Sequence, residues 1–273
     1  MELRGANALV TGAAGGLGRY ITRALAAQGA NVVVSDRSGK ALDARRDEIA
    51  GFGTQVEAVA ADLSKQGQRR GLIEKAEEAL GPIDVLVNNA GLEFVGPYAE
   101  APLAEIDLIT KVNLLSPMEL SRIVLPGMLE RRRGHIVNIA SLAGKQSTAY
   151  FHTYNATKHG VVGFSVALRH ELIETPVSVS AICPGFIARE GMYGRVEHEV
   201  DEHNPLGASP PEKVGEAVVR AIREDKAEII IAERPMRPLI ALSAAFPQAG
   251  IWLAERVGAR KTAERFGAAD ERF

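Results

Sequence analysis

Thr11-Gly12-Ala13-Ala14-Gly15-Gly16-Leu17-Gly18 stands directly behind the apolar run Ala6–Val10 and ahead of Ile21 and Leu25, which share one helical face. A short apolar run, a glycine-rich turn and an amphipathic stretch form a strand, a tight connection and a helix. Glycine permits the turn and lets backbone N–H groups approach a pyrophosphate at the positive helix N-terminus. The spacing, Gly-x-x-x-Gly-x-Gly, matches the commoner Gly-x-Gly-x-x-Gly only loosely. Taken alone, the turn also fits a plain strand-to-helix connection.

The same alternation continues outward. Short β-branched or apolar runs occur at Ala6–Val10, Asn31–Ser35, Gln55–Ala60, Asp84–Asn88, His135–Ala140, Val177–Ile182 and Glu228–Ala232. Between them lie helical patterns such as Leu72, Ile73, Ala76 and Leu80. Near-continuous apolar strands separated by helices predict an α/β fold: a doubly wound (Rossmann) seven-stranded parallel sheet with helices on both faces. No repeat or linker interrupts the pattern, so residues 1–234 are expected to form one Rossmann-fold domain, with 235–273 a C-terminal apolar helical extension of it.

Composition narrows the function. The 273 residues carry 32 Lys and Arg against 34 Asp and Glu, a net charge of −2, with 46% apolar residues. That balance argues against a nucleic-acid binder and against disorder. Arg131-Arg132-Arg133 precedes Gly134 where a long helix should end, and cations there complement the helix dipole. Cys183 is the single cysteine, excluding an internal disulfide and a cysteine-rich zinc site. His152, His159, His198 and His203 lack metal-ligand spacing, so no metal is expected. Met-Glu-Leu-Arg-Gly opens the chain without a signal-peptide core, and a reducing cytoplasmic location is the expectation.

Asp36 ends the second predicted strand, 18 residues beyond Gly18. A carboxylate there accepts hydrogen bonds from an adenosine ribose and repels a 2′-phosphate, favouring NAD over NADP. Arg37 and Arg19 could pair with such a phosphate, which keeps NADP open. Further on, Asn88-Asn89-Ala90-Gly91 ends the fourth predicted strand, Ser141 follows the fifth, and Tyr154-Asn155-Ala156-Thr157-Lys158 starts a helix. Tyr154 and Lys158, four apart, share a helix face. A phenol of pKa near 10 is a poor base at neutral pH, and bringing it there takes about 4 kcal/mol of electrostatic preference. A neighbouring ammonium and an oxidised nicotinamide would supply it. Tyr154 could then take a proton from an alcohol, or return it during reduction.

These motifs, in this order and with Pro184-Gly185 behind them, resemble the short-chain dehydrogenase/reductase family over roughly residues 5 to 232. The resemblance implies that Ser141 hydrogen-bonds the substrate oxygen, that Lys158 also holds the nicotinamide ribose, and that Asn113 anchors a water for proton exchange. It further implies that Gly12, Gly16, Leu17 and Gly18 cradle the dinucleotide, that Asp62 and Leu63 bracket its adenine, and that Asn89 and Gly91 line it. Pro184, Gly185 and Ile187 lie beside the nicotinamide by the same resemblance. It also implies two-fold assembly through the helices carrying Asn113 and Tyr154, as a homodimer or homotetramer. One departure stands out: where family members commonly carry Thr shortly after Pro-Gly, this chain has Arg189.

Two segments remain. Gly185–Pro211 is a long connection of the kind that often covers a site. In the tail, the 17 residues Pro238–Ala254 include only Ser243 and Gln248 as polar members. Packing over the substrate cleft or a second subunit is the expected role, with an interfacial membrane helix, flanked by Arg234, Arg237 and Arg256, as the alternative. With Phe94, Leu142, Gln146, Phe151, Phe186, Met192 and Tyr193 as pocket residues, the expected enzyme is an NAD(P)-dependent oxidoreductase interconverting a hydrophobic secondary alcohol and its ketone. A dinucleotide-binding sensor or scaffold without turnover is the rival.

Overall fold

Val32, Val33 and Val34 are consecutive and all fully buried, yet they enter two different cores. Side chains alternate across a strand, so a run of three buried valines requires a sheet covered on both faces. The computed structural model, which describes residues 1–190, 193–194, 207–256 and 258–269, has that form. Strands β1 (Asn7–Thr11), β2 (Asn31–Asp36), β3 (Val56–Ala60), β4 (Val85–Asn88), β5 (Gly134–Ile139), β6 (Val177–Pro184) and β7 (Glu228–Ile231) make one sheet in the order β3-β2-β1-β4-β5-β6-β7. Every pairing is parallel. The doubly wound sheet expected from the sequence is therefore present, with β6 running two residues further than its apolar pattern.

Helices α1 (Gly16–Ala27), α2 (Gly39–Ala50) and α7 (Glu212–Glu224) cover one face, burying Ile21, Leu25, Ile49, Val214 and Val218 against Val10, Val32 and Val34. On the other face α3 (Gln66–Leu80), α5 (Ser116–Glu130) and α6 (His152–Glu171) bury Leu72, Ile73, Leu120, Met128 and Leu168 against Leu9, Val33 and Leu86. A short α4 (Leu103–Thr110) joins α5 through a π-helical turn, Lys111–Leu115. Beyond the sheet come α8 (Arg237–Ala245), α9 (Pro247–Arg256) and α10 (Ala259–Ala269).

The sheet order reverses at β1, whose neighbours are β2 and β4, and the loops leaving β1 and β4 diverge there. A crevice at the carboxyl ends of the strands follows from that topology. The arginine triplet sits at the opposite end: Arg131 Nη2 donates to the Ile83 carbonyl at 3.0 Å, and Arg133 pairs with Asp84 at 3.2 Å. Its work is structural, closing α5 against the sheet floor. On that floor His135 is buried, its Nε2 2.8 Å from Ser180 Oγ, and burial pushes its pKa down to about 4.

Candidate active site

The glycine turn is packed from behind and open in front. A Cβ on Gly12, which has φ +63°, would lie 2.8 Å from Ala90 Cα; one on Gly18 would lie 2.1 Å from the Gly12 carbonyl oxygen. The turn is locked to the β4 loop as well, since Asn89 Nδ2 donates to the Thr11 and Gly12 carbonyls at 3.0 Å and the backbone N–H groups of Asn89 and Ala90 donate to Thr11 Oγ1. A Cβ on Gly15 would meet nothing within 4 Å. Gly15 caps α1 without a side-chain hydrogen bond, and the first turn holds no acid. Bare N–H groups at an uncapped helix start, with room before them, fit the pyrophosphate of a dinucleotide.

A cavity of about 700 Å³ runs from this turn across the strand ends. Gly12, Gly16, Leu17, Asp36, Asp62 and Leu63 line one end; Asn89, Gly91, Pro184, Gly185 and Ile187 line the middle. Gly18 is not among the lining residues: its lack of a side chain serves the packing of α1 on the turn. Asp36 accepts from Ala14 N at 3.2 Å and from Arg37 N at 2.7 Å, fixing its carboxylate beside the turn. The Ser64 hydroxyl, 2.7 Å away, holds the Asp62 carboxyl below its usual range.

At the far end of the cavity stand Ser141, Tyr154 and Lys158. Ser141 follows β5 and opens the 3₁₀ turn Leu142–Gly144, accepting from Ala143 N at 3.1 Å. That turn rests on α6 so closely that a Cβ at Gly144 would lie 2.5 Å from the Lys158 carbonyl oxygen. The contact brings the Ser141 hydroxyl into hydrogen-bond range of the Tyr154 phenol. Lys158 Nζ donates to the Ile139 carbonyl at 2.8 Å and lies 5.5 Å from the Tyr154 ring centre. Burial raises the Tyr154 pKa above its ordinary value, against the downward pull of the Ser141 hydrogen bond. Burial also pushes Lys158 down to about 8. The lysine does not by itself make the phenol acidic; the protein's own groups leave Tyr154 protonated at neutral pH.

Asn113 is buried in the π-helical turn rather than on the cavity wall. Its Oδ1 accepts from Leu92 N at 2.8 Å while its Nδ2 donates to Leu92 O at 2.7 Å, so the amide clamps the loop after β4. Arg189, the departure noted above, has φ +63° and pairs with Glu212 at 3.4 Å instead of lining the cavity. Of the expected pocket residues, Leu142, Gln146, Phe151, Phe186 and Tyr193 line the cavity, Phe94 borders a smaller neighbouring hollow, and Met192 lies outside the described residues, as do His198 and His203. Glu93 was not foreseen. It is buried on the wall, and its charge raises the pKa of both Tyr154 and Lys158. An acid inside Leu92-Glu93-Phe94-Val95, next to the Asn-Asn-Ala-Gly loop, was the available signal.

The tail supplies the ceiling. Phe266 of α10 stacks near Phe151, Phe186 and Tyr193, with ring centres 5.5–6.4 Å apart, and Ala263 is buried beside it. Leu239 of α8 and Leu253 and Ala254 of α9 also line the cavity. Among the described residues, no cluster of His, Cys, Asp and Glu could hold a metal ion.

The family model for short chain dehydrogenases matches residues 6–200. The ketoacyl reductase HetN of Nostoc sp. is 42% identical over 234 residues, covering 86% of this chain and 81% of its own length. A variant of the actinorhodin polyketide ketoreductase crystallised with NADPH superposes with a TM-score of 0.77 at 34% identity, covering 83% of this chain and 95% of its own. A short-chain dehydrogenase/reductase from Burkholderia phymatum in complex with NAD gives 0.80 at 27% identity, covering 91% and 96%.

Proposed function

Because the chain belongs to the short-chain dehydrogenase/reductase family, we propose that it interconverts a secondary alcohol and a ketone of largely apolar body, using a nicotinamide dinucleotide. One observation carries this reading: a hydroxyl, a phenol and an ammonium meet at one end of a cavity whose other end is an uncapped helix start. When bound, the dinucleotide supplies the hydride acceptor or donor. Tyr154 takes the proton from the substrate hydroxyl, or returns it to the carbonyl oxygen. Ser141 donates its one O–H to the same substrate oxygen. Lys158, held by the Ile139 carbonyl, keeps a positive charge beside the phenol and holds the nicotinamide ribose. Asn113 fixes Leu92, and its place in the proton relay falls to its backbone because its amide is engaged.

Gly12, Gly16, Leu17, Asp36, Asp62, Leu63, Asn89, Gly91, Pro184, Gly185 and Ile187 form the dinucleotide's bed, with Gly18 shaping it from behind. Asp36, fixed beside the turn, favours NAD; the exposed Arg37 next to it leaves NADP as a weaker second cofactor. Ketoacyl reductases among the relatives support an oxo-acyl or similarly extended substrate, and the aromatic ceiling supports an apolar one. Residues 235–273 act as part of the catalytic domain. Exposed Met118 on α5, Val166 on α6 and Ile173 just beyond α6 support two-fold assembly through those helices. The test is an absorbance screen over steroid, fatty, sugar and aromatic alcohols with NAD and NADP. Reduced dinucleotide should accumulate with apolar alcohols and NAD. Binding of dinucleotide without turnover on any alcohol or ketone would instead leave a sensor.

A further inference from the structure

Helices α8 and α9 are packed the wrong way round for a soluble surface. They cross at small residues, where a Cβ on Gly250 would lie 2.7 Å from Ser243 Oγ. Four large apolar side chains on the helices and the residue joining them face outward: Leu242 is 42% exposed, Phe246 63%, Ile251 59% and Trp252 58%. Scattered exposed apolar residues are ordinary, but four large ones between Leu242 and Trp252 are a concentration of the kind that marks an interaction site. The surrounding charge is mainly basic, although Glu233 and Glu255 flank the stretch. From Arg234 to Ala254 the only charged residues are Arg234 and Arg237, both exposed and basic. Arg256 closes α9 with its guanidinium 5.1 Å from the Trp252 ring centre. Residues 234–269 hold six basic and two acidic side chains in a chain whose net charge is −2.

A surface with exposed Trp, Phe, Leu and Ile, bordered by arginine, has the composition of an element that lies in a membrane interface. Among the described residues no helix is long and apolar enough to cross a membrane. The same two helices also form part of the cavity wall, through Leu239, Leu253 and Ala254. The exposed apolar residues and part of the cavity wall are therefore carried by the same two helices. We infer that the α8–α9 hairpin seats the protein on an anionic lipid surface, and that its substrate is a lipid-like alcohol or ketone that enters the cavity from that surface. The second half rests on the proposed function; the first does not.

Trp252 is the only tryptophan, so its emission reports on this patch alone. The full-length protein is titrated with vesicles of phosphatidylcholine, with and without phosphatidylglycerol. Anionic vesicles should shift Trp252 emission to shorter wavelength and co-sediment the protein, and added salt should reverse both. Replacing Arg237 and Arg256 by Gln should weaken partitioning by roughly fivefold per residue. The exposed-site pair Leu242→Ser with Phe246→Ser should abolish the shift and leave turnover of a short, water-soluble alcohol intact. An emission spectrum unmoved by either vesicle overturns the inference. So does an emission already at short wavelength in buffer that varies with protein concentration, since a second copy would then cover the patch. The fluorescence readout needs no catalysis, so failure of the proposed reaction and failure of membrane docking are separately visible.

Discussion

The two walls of the cavity are made by different physics. The dinucleotide wall consists of loops at strand ends, held by hydrogen bonds from the Asn89 amide to backbone carbonyls and by glycines where a Cβ would have no room, as at Gly12 and Gly18. Its geometry tolerates almost no change. The opposite wall is a stack of side chains, Phe151, Phe186, Tyr193 and Phe266, roofed by helices whose outer faces are exposed. It is held by area and shape, which many residue combinations satisfy. The first wall fixes where chemistry happens; the second decides what is brought to it.

Substitutions separate the two. Tyr154→Phe, at the seam between them, should lower turnover by about three orders of magnitude while dinucleotide affinity, read by fluorescence, stays within about twofold. Comparable loss of both would move Tyr154 from acid/base to cofactor anchor. On the rigid wall, Gly12→Ala meets both a positive φ and a 2.8 Å contact, and should cost about 2–3 kcal/mol of stability together with dinucleotide binding. Gly15→Ala, facing open space, should weaken binding about tenfold with an unchanged melting temperature, because its Cβ occupies the ligand's place and not the protein's. On the adaptable wall, Phe266→Ala should reduce kcat/KM for a bulky apolar alcohol about tenfold, and dinucleotide affinity should not move.

The smallest functional effect lies on the sheet floor, remote from both walls. His135 titrates near 4 when folded and near 6.5 when unfolded. Between these values only the unfolded chain gains the proton. Stability is therefore full above pH 6.5 and falls as pH drops towards 4, by about 3 kcal/mol in all. His135→Gln should flatten that part of the stability curve in denaturant titrations while kcat at neutral pH is unchanged.

The contrast also explains what could be read in advance. β1, the glycine turn, Asp36 and the Tyr154–Lys158 spacing are legible because backbone geometry and helical periodicity admit few residues there. The clamp between Asn113 and Leu92 was not legible, since it arises where a π-turn meets a loop 21 residues earlier in the chain. Glu93 was missed for a similar reason: an acid in a loop reads as solvated until the fold buries it. The apolar tail announced itself by composition, but not its division of labour, with α10 over the phenol and α8–α9 turned outward. Packing partners decide that, and they are distant in sequence.

Burial holds the Tyr154 phenol protonated in the protein alone, so for Tyr154 to act as a base the positive charge of a bound oxidised nicotinamide would have to favour its phenolate. Ultraviolet difference titration of wild type and Tyr154→Phe, each with and without NAD, tests this directly. One phenolate should appear between neutral and mildly alkaline pH in the wild type with NAD, and be missing from the other three samples. An identical wild-type titration with and without NAD would contradict the claim.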